Sequence, residues 1–378
     1  MTRRPPPGTT PPHAAPLRIA YVINSVEGGG AALPVPAIAQ TLRDGGAEVR
    51  VFALTRRDGR ALPPMEAAGL NPLVRDGGEK DHVAAARWLM REVRAWGATH
   101  IWTSLSRATI LGLLIGPWLG LPVVSWQHAA FLKPWNERLM RALQRRALLW
   151  VGDSRSVTEL TARRLHVEPA RLTTWPIYFA DPAMPEAQAW QPGEPLRLGS
   201  LGRLHPVKGY YVLIAALARL KAQGFAPPAP LDIALAGDGT ERDRLLALAR
   251  EAGVEGLRLP GYTDNPRAFL AGLHLYAQPS RSEGFCIAAH EALTAGLPVL
   301  ASAVGEMPHS IREGVSGYTV PPGDAGALAA RLARLLADPA HLHAMGQAAR
   351  ADMLDRFSKA RFDAAGAAIL DILRRNGR

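Results

Sequence analysis

Short apolar runs alternate with longer stretches of three-to-four-residue periodicity from residue 17 almost to the C-terminus. The first run, LRIAYVIN (17–24), reads as a buried strand, followed by a glycine-bearing turn, SVEGGG, and the helical pattern ALPVPAIAQTLRDGG. Strand EVRVFAL (48–54) comes next, a looser region extends to Lys80, and helix DHVAAARWLMREVRAWG (81–97) leads to strand THIWTSL (99–105). The uncharged stretch 108–132 is interrupted by Pro117, Pro122 and glycines. It reads as a buried helix, a turn and the strand PVVSWQH (122–128), not as a membrane span. ALLWVGDS adds another short strand, with Ser154 placed to start a helix.

Residues 181–195, DPAMPEAQAWQPGEP, carry four prolines without periodicity and read as a linker. The alternation then restarts through strand PLRLGSLG, helix YYVLIAALARLKAQG, strand LDIALAG, helix TERDRLLALAREAG and strand LRLPG. Helix PRAFLAG, strand LHLYAQPS, helix IAAHEALTAG and strand PVLAS follow, before the final helices. The pattern predicts an α/β chain of two doubly wound parallel sheets, 17–180 and 196–356, facing one another across a cleft. Ligands of such sheets sit outside the carboxyl ends of the strands. The closing segment, 357–378, is a helix free to pack on either unit, with the first as its expected partner. A chain of 378 residues suits two units of about 150 to 200 residues each. Residues 1–16 are proline-rich and lack an apolar core, so they read as a disordered tail and not as a signal peptide.

Composition narrows the chemistry. With 48% hydrophobic and 20% charged residues the chain is a folded globular protein. A single cysteine, Cys286, excludes an intrachain disulfide and a cysteine-based zinc site, in keeping with a cytoplasmic setting. The net charge of +11 is concentrated in residues 1–180, where 23 Lys and Arg face 13 Asp and Glu. Nucleic acid, an anionic lipid surface or a phosphorylated small molecule could use that field, and an arginine-rich composition alone also accounts for it. Residues 136–150 place Arg138, Arg141 and Arg145 among Leu139, Leu143 and Leu149 at helical spacing, an amphipathic basic helix suited to anionic headgroups or to packing on a neighbouring strand.

Glycine-rich loops close several strands. Gly28, Gly29 and Gly30 follow the first strand but match neither GxGxxG nor a P-loop, so they serve either a ligand or a tight turn. GSLGRLHPVKGY (199–210) offers Arg203 and Lys208 from one loop, a clamp for a diphosphate or a solvated connection. In AGDGTE (236–241) Asp238 is placed to cap a helix. In SEGFCIAAHEAL, Glu283 precedes a helix and Glu291 lies inside it, among alanines and Leu293. The N–H groups around Cys286 would form the positive end of that helix. A buried Glu291 needs a polar partner.

These motifs together resemble the retaining glycosyltransferases of the two-domain GT-B arrangement, family 4. The resemblance spans nearly the whole ordered chain: the GGG loop, the histidine in SWQHAAF, GRLHPVKG, AGDG, E-x7-E and VGEMPHSIREGVSGYTVPPGD. It implies a nucleotide-diphosphate sugar donor, UDP- or GDP-linked, and no metal or other cofactor. Arg203 and Lys208 would hold the diphosphate as leaving group, Glu291 the ribose, and Glu283 the donor sugar. The backbone of Gly284, Phe285, Cys286 and Ile287 would cradle sugar and phosphate. His128 would stand near the reaction centre, Gly29 and Gly30 would approach the diphosphate or acceptor, and Asp238, Gly305 and Glu306 would support the donor side. The implied partner is a hydroxyl acceptor, including lipid-linked ones; the basic first unit adds an expected peripheral contact with an anionic membrane on its cytoplasmic face, and the lack of a zinc-finger or coiled-coil basic-region signature leaves nucleic acid unexpected. Two departures bear on acceptor contacts and sugar preference: no acid follows GGG, and Cys286 stands where the family commonly has glycine. An epimerase or phosphorylase on the same plan, and a non-catalytic sugar-nucleotide-binding protein, are the alternatives.

Overall fold

The computed structural model describes residues 16–128 and 132–376; the expected tail, apart from Pro16, lies outside them. Seven parallel strands form the first sheet: β1 (Arg18–Ser25), β2 (Glu48–Thr55), β3 (Leu73–Val74), β4 (His100–Ser104), β5 (Val123–Gln127), β6 (Ala147–Gly152) and β7 (Leu172–Thr174), in the order β3-β2-β1-β4-β5-β6-β7. The second has six: β8 (Leu196–Leu201), β9 (Leu231–Ala236), β10 (Leu257–Gly261), β11 (Leu275–Gln278), β12 (Val299–Ser302) and β13 (Gly317–Val320), in the order β10-β9-β8-β11-β12-β13. In each sheet the chain starts centrally, winds to one side, then returns to wind to the other. This leaves a crevice at the switch point, beside β1 and β4 in one sheet and β8 and β11 in the other.

Central strands are apolar on both faces because helices cover both, as in β1, where Ile19 to Ile23 are fully buried. Beneath the helices of the first unit lies an aromatic cluster. Trp126 and Trp175 stack with ring centres 4.9 Å apart, and Trp102 meets both edge-on at 5.7 and 5.9 Å. The last helix, Lys359–Asn376, packs on Val35–Asp44: Phe362 lies 5.1 Å from Trp175, and Thr41 Oγ1 donates to Asp363 Oδ1 at 2.6 Å. Residues 181–195 form no helix or strand but are held to the second unit, with Ala187 N donating to Ala295 O at 2.7 Å and Arg350 Nη2 to Pro182 O at 2.7 Å.

Several elements differ from the sequence reading. The basic helix expected over 136–150 spans Pro134–Leu143, and after a single tight turn the chain enters β6 at Ala147. Leu149 therefore pairs with Val124 in the sheet and is buried there, because ladder hydrogen bonds and burial on both faces override a helical pattern. Asp238 does not cap a helix: it is exposed, and the next helix, Arg242–Glu251, starts after Glu241 without a side-chain cap. Ser154 does cap its helix, accepting the N–H of Val157. The edge strands β3, β7 and β13 have two to four residues, too few for a periodic signal. Among the described residues no helix is long and apolar enough to cross a membrane.

Replacing Trp175 with alanine removes the ring shared by Trp102, Trp126 and Phe362. A loss of about 3–5 kcal/mol of unfolding free energy is expected in a denaturant titration; a loss below about 1 kcal/mol would show that the cluster is not the anchor of this unit.

Candidate functional site

The loops after β1, β5 and β6 face those after β8, β11 and β12. The β8 loop is tied down by its backbone: Gly202 N donates to Ala236 O at 2.9 Å, Leu204 N to Asp238 O at 2.8 Å, and Leu204 is fully buried. This anchoring leaves Arg203 exposed, its guanidinium with no hydrogen bond or ion pair to any described residue. Lys208 turns inward, and its Nζ donates to Glu283 Oε1 at 2.8 Å. That oxygen also accepts Ser280 Oγ at 2.6 Å and Gln278 Nε2 at 3.2 Å. Burial works against the ammonium charge, but Glu283 more than offsets it and holds Lys208 above its ordinary value.

Glu283 begins the junction between β11 and the helix Ile287–Thr294. The Phe285 ring is turned into the core, stacked on His290 at 3.9 Å and edge-on to Phe357. His290 is fully buried, and burial pushes it down to about 3, so it is neutral. Its Nδ1 donates to Cys286 O at 2.9 Å, which leaves Nε2 to accept Ser310 Oγ at 2.8 Å. Cys286 is buried and left-handed, with φ 67°, a conformation that glycine adopts more readily. Burial pushes its thiol up, so no thiolate chemistry is available. Glu291 is partly buried without a side-chain partner among the described residues; burial raises its carboxyl to about 7, with Arg267 opposing.

Close contacts bring the loops of the two sheets together. A β-carbon on Gly284 would stand 2.1 Å from His128 O, so no side chain fits there. One on Gly30 would meet Ile287 Cδ1 at 3.5 Å, whereas one on Gly29 would meet nothing within 4 Å. Glu306 Oε2 accepts the N–H of Ser156 at 3.0 Å. The His128 ring does not point into open space. Its side chain is 5% exposed, with Nε2 2.8 Å from Ser104 Oγ and Nδ1 3.4 Å from Asp153 Oδ2. The face that His128 presents to the second sheet is thus its backbone carbonyl.

Of the expected site residues, the structure joins Lys208 with Glu283, and His128 with Gly284. Gly305 and Glu306 also lie against Gly284, while Asp238, at the β9 end, meets the β8 loop through its carbonyl. Asp153, Ser156, Ser280 and His290 were not anticipated. Nothing in their spacing marks them, apart from the position of Asp153 and Ser156 at a strand-to-helix junction where ligand sites gather. Among the described residues no three His, Cys, Asp or Glu side chains gather as metal ligands.

Comparison with known proteins follows the division into two sheets. The profile described as Glycosyltransferase Family 4 matches residues 28–177, and that described as Glycosyl transferases group 1 matches 186–352. The D-inositol 3-phosphate glycosyltransferase of Thermobispora bispora is 30% identical over 378 aligned positions, 85% of each chain. The glycogen synthase of Mycobacterium tuberculosis is 33% identical over 205 residues, 53% of this chain and 45% of the relative. The chain thus spans about half the length of several curated relatives that it matches. In fold it is similar to the crystal structure of Anabaena Alr3699/HepE in complex with UDP-glucose, with a TM-score of 0.81 at 21% identity, covering 94% of this chain and 99% of that one.

The raised Glu291 carboxyl gives a titration to look for. The ligand-free protein, with 13C-labelled glutamate, is expected to show one carboxyl titrating near 7 that disappears in Glu291→Gln. Because the folded-state value lies above the unfolded one, the stabilisation from this group is complete below the unfolded value and is lost as pH rises through about 7. Titration of every glutamate in the ordinary range would remove Glu291 from the buried side of the site.

Proposed function

The chain belongs to glycosyltransferase family 4 of the two-domain GT-B fold, and from this premise we propose that it transfers a sugar, with retention, from a UDP- or GDP-sugar to an acceptor hydroxyl. The observation that carries the reading is the β8 loop beside the β11–helix junction: a buried Lys208 held by Glu283, next to an exposed Arg203 whose guanidinium is uncommitted. Two cations on the one loop at the carboxyl end of β8 suit a diphosphate, Arg203 as a fork and Lys208 as a point charge.

In this reading the donor's diphosphate lies along Arg203, Lys208 and the backbone N–H groups at the start of the helix Ile287–Thr294. Glu283 accepts hydroxyl protons of the sugar, and Glu291 accepts those of the ribose, which draws its titration down from about 7. The bond between the anomeric carbon and the diphosphate oxygen breaks as the acceptor oxygen attacks on the same face. The acceptor's proton passes to the departing diphosphate. Arg203 and Lys208 stabilise the charge that develops there, with no metal required. Three donors hold Glu283 Oε1, which leaves Oε2 to meet the sugar hydroxyls. The His128 carbonyl borders the sugar, and its ring, between Ser104 and Asp153, orients that carbonyl.

The acceptor side offers a surface for a lipid-linked partner. The helix Pro134–Leu143 and the turn after it expose Lys133, Trp135, Arg138, Arg141, Arg145 and Arg146. Trp135 is 71% exposed, and Trp118, on the neighbouring helix Ser106–Leu119, is 81% exposed. Aromatic rings beside a basic face suit the headgroup region of an anionic bilayer, and the reading places the enzyme on the cytoplasmic face.

Incubation with UDP-, GDP- and ADP-sugars and an acceptor panel, with released nucleotide and products measured, tests the activity. Arg203→Ala and Lys208→Ala are each expected to lower kcat/KM by about 10²–10³-fold. Unchanged transfer in both would remove the diphosphate clamp, and epimerised donor or phosphate-dependent cleavage would favour the alternatives. For the surface, sedimentation with phosphatidylglycerol and phosphatidylcholine vesicles is expected to favour the anionic ones by at least about tenfold, and the double variant Trp118→Ala, Trp135→Ala to bind more weakly. Equal binding to both vesicle types defeats electrostatic docking.

A further inference from the structure

The turn after β12 links the donor loop to a helix of the other sheet. Glu306 is 6% exposed, and its Oε2 accepts the backbone N–H of Ser156 at 3.0 Å, while Ser156 Oγ donates to Gly305 O at 2.7 Å. Ser156 is the second residue of the helix Arg155–Leu165, where backbone N–H groups have no acceptor within the helix and a carboxylate is favoured by the dipole. On its other side the turn is bonded to the loop that carries Glu283. Glu306 N donates to Gly284 O at 3.0 Å, and a β-carbon on Gly305 would stand 2.2 Å from that same oxygen. One short turn therefore touches a helix of the first sheet and the loop whose Glu283 holds Lys208. At the opposite flank, beyond β2 and β10, the Arg60 guanidinium lies 4.1 Å above the ring of Tyr262. The cleft is joined at both flanks, with Gly284 beneath His128 O between them.

We propose that Glu306 is a positioning residue for the transfer: its carboxylate latches the helix Arg155–Leu165 to the 305–306 turn, and so sets the Glu283–Gly284 loop and Lys208 against the diphosphate when the cleft is closed. Glu306 acts through the loop that it holds and does not itself touch the donor. The catalytic consequence rests on the transferase reading, whereas the latch as a contact between the two units stands apart from it.

The test pairs hydrogen exchange with steady-state kinetics on the full chain, in Glu306→Ala, Glu306→Gln and Ser156→Ala, with UDP as the exchange ligand. In Glu306→Ala, exchange at residues 155–158 is expected to speed up about tenfold, and kcat to fall about tenfold with a smaller change in donor KM, the equivalent of one lost hydrogen bond to a charged group. Glu306→Gln keeps an acceptor oxygen and is expected to recover most of both. If Glu306→Ala does not fold, Ser156→Ala, which removes only the hydroxyl's bond to Gly305 O, carries the same two measurements. Wild-type exchange in Glu306→Ala, or in Ser156→Ala where only that variant folds, overturns the latch, and so does a fall in kcat in Glu306→Ala without faster exchange, which would make Glu306 a direct donor contact. If the wild-type protein releases nucleotide from no sugar donor, the transferase reading fails, and the exchange measurement still decides the latch.

Discussion

A backbone contact sets the geometry of the cleft. The His128 carbonyl oxygen lies 2.1 Å from where a β-carbon on residue 284 would stand, so the carboxyl ends of the two sheets approach this closely because residue 284 is glycine. A second glycine, Gly305, lies under the same loop with φ 56° and with Gly284 O where its β-carbon would stand. Three layers of main chain, after β5, β11 and β12, are stacked with no side chain between them. Any residue larger than glycine at 284 would wedge the sheets apart and move the loop that carries Glu283 with them.

Within that frame the charges are arranged by burial. Lys208 and Glu283 are both largely hidden from solvent, and an ion pair in such a place repays its desolvation only when its remaining lone pairs are satisfied. Ser280 and Gln278 satisfy them, which fixes Glu283 Oε1 in one position. Arg203, two residues after the end of β8, escapes this commitment because its loop is anchored through backbone atoms and the side chain of Leu204. The loop thus carries one cation fixed in a buried ion pair and one exposed cation with an unpaired guanidinium. Glu291 shows the converse: a carboxyl without a donor is pushed toward neutrality by burial.

Much of this was legible along the chain. Strands covered on both faces announce themselves as continuous apolar runs, and the glycine-rich turns after them mark the strand ends where ligands bind. Arg203 and Lys208 share one loop, and Glu283 and Glu291 share one loop-to-helix junction, so which backbone carries each pair follows from local sequence. Patterns went astray where a tertiary partner outweighed local preference. Leu149 continues a helical repeat in the sequence, yet it belongs to β6 because β5 supplies ladder partners on one side and β7 on the other. Asp238 has the right residue type for a cap, but the helix after it starts too late.

What the sequence by itself determined is the alternation of strand and helix, the two-sheet plan, and the identity of the groups gathered at the strand ends, since these follow from short-range periodicity and residue chemistry. The tertiary structure alone decided which groups meet. His128 and Gly284 are 156 positions apart, and Ser156 and Glu306 150, so no spacing rule connects them. Nor could the sequence show that the His128 ring turns toward Asp153 while its carbonyl faces the cleft. Such pairings depend on how two separately wound sheets dock, and that is settled by close packing of backbone and buried charge over distances that a linear pattern does not encode.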